Sequence, residues 1–194
     1  MRAIALAAII GGTMLAGAAA AETWTDPAGR LIFDKPRGWQ VDPQQTSSGT
    51  VVLAFDGSHD CFLMATPNSG TSSASARQVV SSTTQPFARA AWETTANSIT
   101  TLFPAGGAQM TNQSVDSSGV WPIQRAEFQS SEGNTVYAAI QGRPGIDLIG
   151  FCTAYSGSAD VFNGVFRSMA HPNDASWASS LQAAPAEAAP APAQ

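Results

Sequence analysis

The feature that most restricts the fold of this chain is its pair of cysteines, Cys61 and Cys152, which are 91 residues apart. Each lies in an apolar stretch typical of a buried strand, Cys61-Phe62-Leu63-Met64 and Leu148-Ile149-Gly150-Phe151-Cys152. If the two sulfurs are joined, these stretches must lie close together in one sheet or across the core. A disulfide that closes a loop of this length stabilises a fold by about 4 to 5 kcal/mol in the chain-entropy model.

The first 21 residues predict the compartment in which such a bond forms. They carry one charged residue, Arg2, then an apolar run that reaches Leu15, then small residues ending in Ala21. This pattern is typical of a secretory signal peptide, and we expect cleavage after Ala21. An uncleaved anchor is the alternative, but the small residues at the end of the segment favour cleavage. The mature chain is then expected to be periplasmic or secreted from a bacterium, where a pair of cysteines forms a disulfide by default.

The remaining composition predicts one domain and a tail. Residues 22–171 are long enough for a single domain with one core. Residues 172–194 contain four prolines among many alanines, so we expect this tail to be largely disordered. A short helix is an alternative for its first part, where Asn173 or Asp174 could cap it and where Trp177 and Leu181 would share one face.

The charge balance argues against one class of partner. Nine Lys and Arg face 14 Asp and Glu, the net charge is −5, and Lys35 is the only lysine. The chain therefore has no basic patch for a phosphate backbone, and nucleic acid is not an expected partner. No second apolar run is long enough to span a bilayer, so we expect no stable membrane span after signal cleavage.

The order of short apolar segments and turns predicts an α+β domain, in which helices pack against an antiparallel β-sheet. The turns at 117–119, 131–134 and 143–145 are too short for crossover helices, so the strands that they join should run antiparallel. The predicted strands are 24–26, 31–34, 39–41, 50–55, 61–66, 109–115, 123–129, 135–141 and 147–155. The predicted helical segments are 74–103, with a break before Pro86, and 158–169.

The helical segments also predict which side chains are buried. In the middle segment, Phe87, Ala91, Ile99 and Leu102 are expected to form the buried face. Trp39 and Trp92 are expected in the core. The last helix carries one apolar stripe, made of Val161, Phe162, Val165, Phe166 and Met169.

Two short motifs, placed in this order of elements, resemble the PsbP-type fold of the photosystem II extrinsic protein and its bacterial relatives. Pro36-Arg37-Gly38-Trp39 follows the opening hairpin, and Phe162-Asn163-Gly164-Val165-Phe166-Arg167-Ser168-Met169 closes the domain, with Met169 where the group has an aromatic residue. The resemblance covers about residues 22–171. It implies an α/β sandwich and a non-catalytic binding or assembly role, without shared catalytic residues.

Catalytic motifs are scarce. His59-Asp60-Cys61 combines an imidazole, a carboxylate and a sulfur, but on a strand Asp60 points away from the other two, and a disulfide leaves no thiolate. The two histidines lack metal-site spacing, and His171, next to the tail, is expected to be solvated. We therefore predict no catalytic, cofactor-binding or metal-ligating residues, and no cofactor.

Two of the five tryptophans predict a possible contact surface. Trp121 precedes Pro122 at the start of a strand, and Trp177 lies in the tail, so both are expected to be exposed. Exposed indoles anchor partners or stack on ligands.

Together these features predict an exported, non-catalytic binding or accessory protein of the bacterial cell envelope. Its partner would be an envelope protein or a small ligand of unknown identity. Two alternatives remain at this stage. One is an envelope hydrolase or a thiol-dependent enzyme, and the other is an interaction tether that acts through the Ala/Pro-rich tail.

Overall fold

The computed structural model describes residues 21–46, 49–100, 102–103 and 107–182. In these ranges, helices cover both faces of a seven-stranded antiparallel sheet. A separate two-stranded hairpin packs on one of these faces, beside a helix. The predicted α+β class is confirmed. Residues 1–20 of the predicted signal peptide and residues 183–194 of the predicted tail lie outside the described residues, so both assignments stay predictions.

The strands and helices follow the predicted order. The strands are β1 (Glu22–Thr25), β2 (Ile32–Lys35), β3 (Gln40–Thr46), β4 (Gly49–Phe55), β5 (His59–Pro67), β6 (Gln109–Asp116), β7 (Ile123–Gln129), β8 (Thr135–Arg143) and β9 (Ile146–Ala154). The helices are α1 (Ala76–Ser82), α2 (Arg89–Asn97), α3 (Val161–Ser168) and α4 (Asp174–Gln182). Within the described part of the chain, no helix is long and apolar enough to cross a membrane.

The two cysteines join the two halves of the large sheet. Its strand order is β3-β4-β5-β9-β8-β7-β6, so β5 of the first half pairs with β9 of the second. In that pair Cys61 lies directly opposite Cys152, with a Cα–Cα distance of 4.1 Å, and the two sulfurs form a disulfide. Both cysteines are buried. The expected proximity of the two apolar segments is thus confirmed, and it takes the form of direct strand pairing.

One face of the sheet packs against α3 and the β1–β2 hairpin. The apolar stripe of α3 enters this core as predicted: Phe162, Val165, Phe166 and the following Met169 are buried, and Val161 is half-buried. Trp39 is buried in the same core, as expected. The hairpin is tied to the end of α3 because Ile32 and Ala170 exchange two backbone hydrogen bonds of 2.8 Å.

The opposite face packs against α2 and the segment that follows it, around the buried Trp92. Here the predicted helical segment 74–103 needs two corrections. The predicted break before Pro86 is confirmed, since the segment forms two short helices, but α2 already ends at Asn97. Ala91 is exposed because α2 turns Trp92 and Ala96 inward, whereas Phe87, Ile99 and Leu102 are half-buried against this core.

The first part of the predicted tail forms the short helix that the sequence allowed, α4. Its half-buried residues, Asp174, Trp177, Ala178 and Leu181, recur at helical spacing and therefore share one face. That face lies against α1 and the core beside α3.

Candidate functional site

At the β6 edge of the large sheet, a polar surface is left uncovered. Helix α3 and the hairpin cover the central strands, whereas five of the eight residues of the edge strand β6 are exposed. Between β6 and α3 lies an open cleft of about 220 Å³, which we call the shelf cleft. Its polar lining includes Asn112, Ser114, Arg125, Glu127, Tyr137 and Asn163.

Strand register sets the order of these polar groups. Asn112 of β6 lies opposite Glu127 of β7, which in turn lies opposite Tyr137 of β8. In the next row on the same face, Ser114 lies opposite Arg125. Adjacent rows of this kind are fixed by backbone pairing, so the polar groups hold their spacing without a ligand.

A carboxylate at the end of β6 organises the boundary of the shelf cleft. Asp116 accepts hydrogen bonds from the hydroxyl (2.6 Å) and backbone N–H (3.1 Å) of Ser118. Its second oxygen accepts from Arg167 at 3.0 and 3.2 Å and from Arg125 at 3.4 Å. Hydrogen bonds from Ser118, followed by those from Arg167, hold the pKa of the Asp116 carboxyl well below its ordinary value. Arg125 also donates to Asn163 of α3 at 2.9 Å, so this network joins β6, β7 and α3.

A second cleft, of about 280 Å³, lies on the other side of Arg167. Its central group is Arg143, whose side chain is 1% exposed. The guanidinium lies 4.3 Å from the ring centroid of Trp121, in cation–π contact, and forms a two-bond ion pair with Asp174 of α4. Burial lowers the pKa of Arg143, and the hydrogen bonds to Asp174 oppose this effect. Val120, which is 55% exposed, lines the same cleft.

The structure brings the two predicted contact residues together at this cleft. Trp121 and Trp177 meet edge to face, with ring centroids 6.3 Å apart. The expected exposure of Trp121 is wrong, since the residue is 9% exposed where α4 packs over it, and Trp177 is half-buried. Whether this pair contacts a partner stays a prediction.

His171 is also not the solvated residue that the sequence suggested. Its ring stacks on Trp177 with centroids 4.8 Å apart, and its Nδ1 accepts a hydrogen bond from the backbone N–H of Asn173 at 3.1 Å. Burial lowers the pKa of His171. The residue therefore belongs to the contacts that hold the start of α4.

The predicted His59-Asp60-Cys61 combination has a structural role here. Nδ1 of His59 lies 3.1 and 3.2 Å from the carboxylate oxygens of Asp56, and Nε2 lies 3.1 Å from the carbonyl oxygen of Ser158. Its ring stacks on Trp39. Because the disulfide uses both cysteines of the chain, no free thiol remains for a thiol-dependent reaction. Over the described ranges, no group of three or more His, Cys, Asp or Glu residues is arranged to hold a metal ion.

Sequence reasoning missed the charged residues that organise both clefts. The sequence predicts a turn that begins at Arg143, but β8 continues to that residue and places it on the face that α4 covers. Arg125 alternates with buried neighbours on β7, a pattern that indicates one exposed strand face. The partners of these arginines, Asp174 and Asp116, are 31 and 9 residues away in the sequence. No local motif could have revealed them.

A comparison with solved structures identifies the fold. The solution structure of cyanobacterial PsbP (CyanoP) from Synechocystis sp. PCC 6803 matches with a TM-score of 0.52 and 16% sequence identity, over 84% of this chain and 98% of that chain. The chain has a PsbP-like fold. The resemblance that the two short motifs indicated is thereby confirmed at the level of the fold.

Other comparisons add no closer relationship to this PsbP-like fold. A crystal structure from Bacteroides thetaiotaomicron VPI-5482 matches with a TM-score of 0.44 and 14% identity, over 80% of this chain and 50% of that chain. No protein-family model matches the sequence. A comparison with curated proteins gives no significant match.

Proposed function

We propose that this chain is an exported, non-catalytic accessory protein of the bacterial cell envelope that binds an extended segment of another envelope protein along β6. The observation that carries this proposal is the edge of β6 beside the shelf cleft. From Asn112 to Val115, beyond the register shift that follows Met110, this edge has no charged residue and no proline. Exposed edges of this kind accept an additional strand through backbone hydrogen bonds.

The other edge of the same sheet supports this choice by contrast. Strand β3 carries Pro43, which has no N–H to donate, and the exposed carboxylate of Asp42. Proline and charge on an edge strand are the usual means by which proteins prevent pairing with another chain. The two edges therefore differ in the way expected if only β6 pairs with a partner.

The shelf cleft supports a protein partner over a small ligand. Small-molecule sites are mostly apolar and enclosed. Two of the three aromatic residues that line the shelf cleft, Phe162 and Phe166, are 1% and 2% exposed and offer no ring face for stacking, and the third, Tyr137, is half-buried. Arg125, Glu127 and Asn112 instead offer polar contacts to alternate side chains of a strand added at β6.

Export and the disulfide are consistent with one another. A disulfide that links two buried strands persists in an oxidising compartment, which the amino-terminal signal pattern also predicts. Determining the amino-terminal residue and the thiol content of the protein in fractionated cells tests this part. An intact Met1 in the cytoplasmic fraction would contradict export.

Site-specific photo-crosslinking tests the binding surface. A photoreactive residue is placed at Gln113 on β6 or, as the matched control, at Gln44 on β3; both are exposed glutamines on edge strands. We expect position 113 to capture one defined envelope protein and position 44 to capture none. Adding Asn112→Lys, which puts a charge on the β6 edge, should reduce that capture at least tenfold. Equal capture from both positions, or no effect of the lysine, would refute the proposal.

A further inference from the structure

Helix α4 is held by a small number of specific contacts. Asp174 at its start pairs with Arg143, Trp177 contacts Trp121, and the carbonyl oxygen of Leu181 accepts a hydrogen bond from Nη2 of Arg77 at 2.9 Å. None of the residues of α4 is fully buried. The helix thus adds little to the core and depends on recognition at a few points.

The surface beneath α4 is organised by residues of the body of the domain. Nη1 of Arg143 donates to the carbonyl oxygen of Gly142 at 3.0 Å, and Nη2 donates to Oε1 of Gln141 at 3.1 Å. Gln141 is held in turn by donating to the carbonyl oxygen of Phe166 at 2.5 Å. With Trp121 against one face, the guanidinium is fixed by groups outside α4.

One partner of Arg143 is supplied by α4 itself. Asp174 accepts from Nε at 2.7 Å and from Nη2 at 3.0 Å, which is the paired geometry in which arginine binds a carboxylate. The groove formed by Arg143, Trp121 and α1, which we call the α4 groove, is therefore a receptor for a helix that presents a carboxylate and, one turn later, an indole. This is the pattern of Asp174 and Trp177.

We propose that the α4 groove also binds α4 of a second copy of this chain, so that two copies exchange this helix. Each copy carries both the groove and the matching helix, so reciprocal exchange closes a two-fold dimer without any new recognition chemistry. The connection is three residues long, from His171 to Asn173, and it contains Pro172. The residue before this connection, Ala170, is fixed by its pairing with Ile32, so α4 can leave as a unit while the domain stays folded.

Within one chain the short connection gives α4 an effective concentration on the order of 1 mM at its own groove. Exchange in the natural chain therefore competes with this intramolecular binding and is expected to be a minority state at micromolar concentrations. A pair of complementary variants removes that competition. Arg143→Gln has a damaged groove and an intact α4, and Asp174→Asn has an intact groove and a damaged α4.

Native mass spectrometry of full-length mature variants tests the proposal. Each variant alone is expected to be monomeric, and an equimolar mixture is expected to form a heterodimer, enriched at least tenfold over either homodimer. Adding Arg143→Gln to the Asp174→Asn partner, which leaves no intact groove, should abolish the heterodimer. A mixture that stays monomeric at about 1 mM protein, a concentration at which exchange would equal even undamaged intramolecular binding, would overturn the proposal.

A second pair keeps the test valid if the loss of Arg143 prevents folding. Trp121→Ala damages the groove and Trp177→Ala damages α4, and both variants keep the ion pair between the buried Arg143 and Asp174. The same heterodimer is expected from their mixture. Circular dichroism of each variant establishes that it is folded, and a folded mixture without heterodimer would again contradict the exchange.

Discussion

Gly150 on β9 lies directly beneath the ring of Phe166 on α3: a Cβ at position 150 would be 2.8 Å from Cε1 of that ring and 3.1 Å from Cδ2 of Leu63. The absence of a side chain here lets α3 approach the centre of the sheet. It thereby sets the distance between the helix and the strands that form the shelf cleft.

We expect Gly150→Ala to destabilise the domain by about 1 to 3 kcal/mol, because the added methyl group overpacks a rigid core. Urea unfolding measures this change. Gly164→Ala is the matched control, since a Cβ at position 164 on the exposed side of α3 would have nothing within 4 Å. Alanine at 164 should instead stabilise the protein by about 0.5 to 1 kcal/mol through its higher helix propensity. Equal effects of the two substitutions would contradict this account of Gly150.

Removal of the disulfide should lower stability without changing the fold. We expect Cys61→Ala/Cys152→Ala to lose about 2 to 5 kcal/mol, since the bond restricts a long loop of the unfolded chain. The pairing of β5 with β9 extends over nine residue pairs, so the sheet should keep its register. Urea unfolding and the far-ultraviolet circular dichroism spectrum measure the two effects. A variant with unchanged stability would show that the bond does not constrain the unfolded chain.

The buried amide of Gln124 should be essential for the junction between α1 and α2. Its Nε2 donates to the carbonyl oxygens of Thr83 (2.5 Å) and Gln85 (2.9 Å), and its Oε1 accepts from the backbone N–H of Phe87 at 3.0 Å. Gln124→Leu leaves these groups without their partner and should cost about 3 kcal/mol. Gln113→Leu on the exposed β6 edge should change stability by less than about 0.5 kcal/mol. Comparable losses in thermal unfolding would refute the role of Gln124.

The docking of α4 should weaken in mild acid. Burial, and to a smaller extent Arg143, lower the pKa of His171 below its ordinary value of 6.5, while Asp174 acts in the opposite direction. A group whose pKa is lower in the folded state favours folding fully above the unfolded value. That contribution is lost as the pH falls from about 6.5 through the folded pKa.

We therefore expect the free energy of unfolding to decrease between pH 7.5 and pH 5, and His171→Phe to reduce that decrease while it keeps a ring against Trp177. Urea unfolding at both pH values gives the comparison. A proton NMR titration of the His171 ring provides its pKa independently. An identical pH dependence in the variant, or a pKa of His171 above 6.5, would contradict the prediction.

Local patterns were sufficient for most of the strands and for α3. The runs around Cys61 and Cys152 combine β-branched, aromatic and small residues with flanking turns, and α3 repeats its apolar residues at helical spacing. The local pattern of residues 74–103 was less informative about where the helices end. Pro86 predicts a break, but the surrounding alanines, serines and threonines suit both helix and turn, so the extent of the break, residues 83–88, depends on the buried Gln124 of a distant strand.

What the sequence determined by itself was the class of the domain, the disulfide pair and the face of α3 that is buried, because these follow from spacing and chemistry within short segments. Only the tertiary structure decided which charges meet. Arg143 binds Asp174 and Arg167 binds Asp116 because the return of α4 and the packing of α3 on the sheet bring distant segments together. Long-range packing also buried Trp121, for which the neighbouring residues in the sequence had indicated exposure.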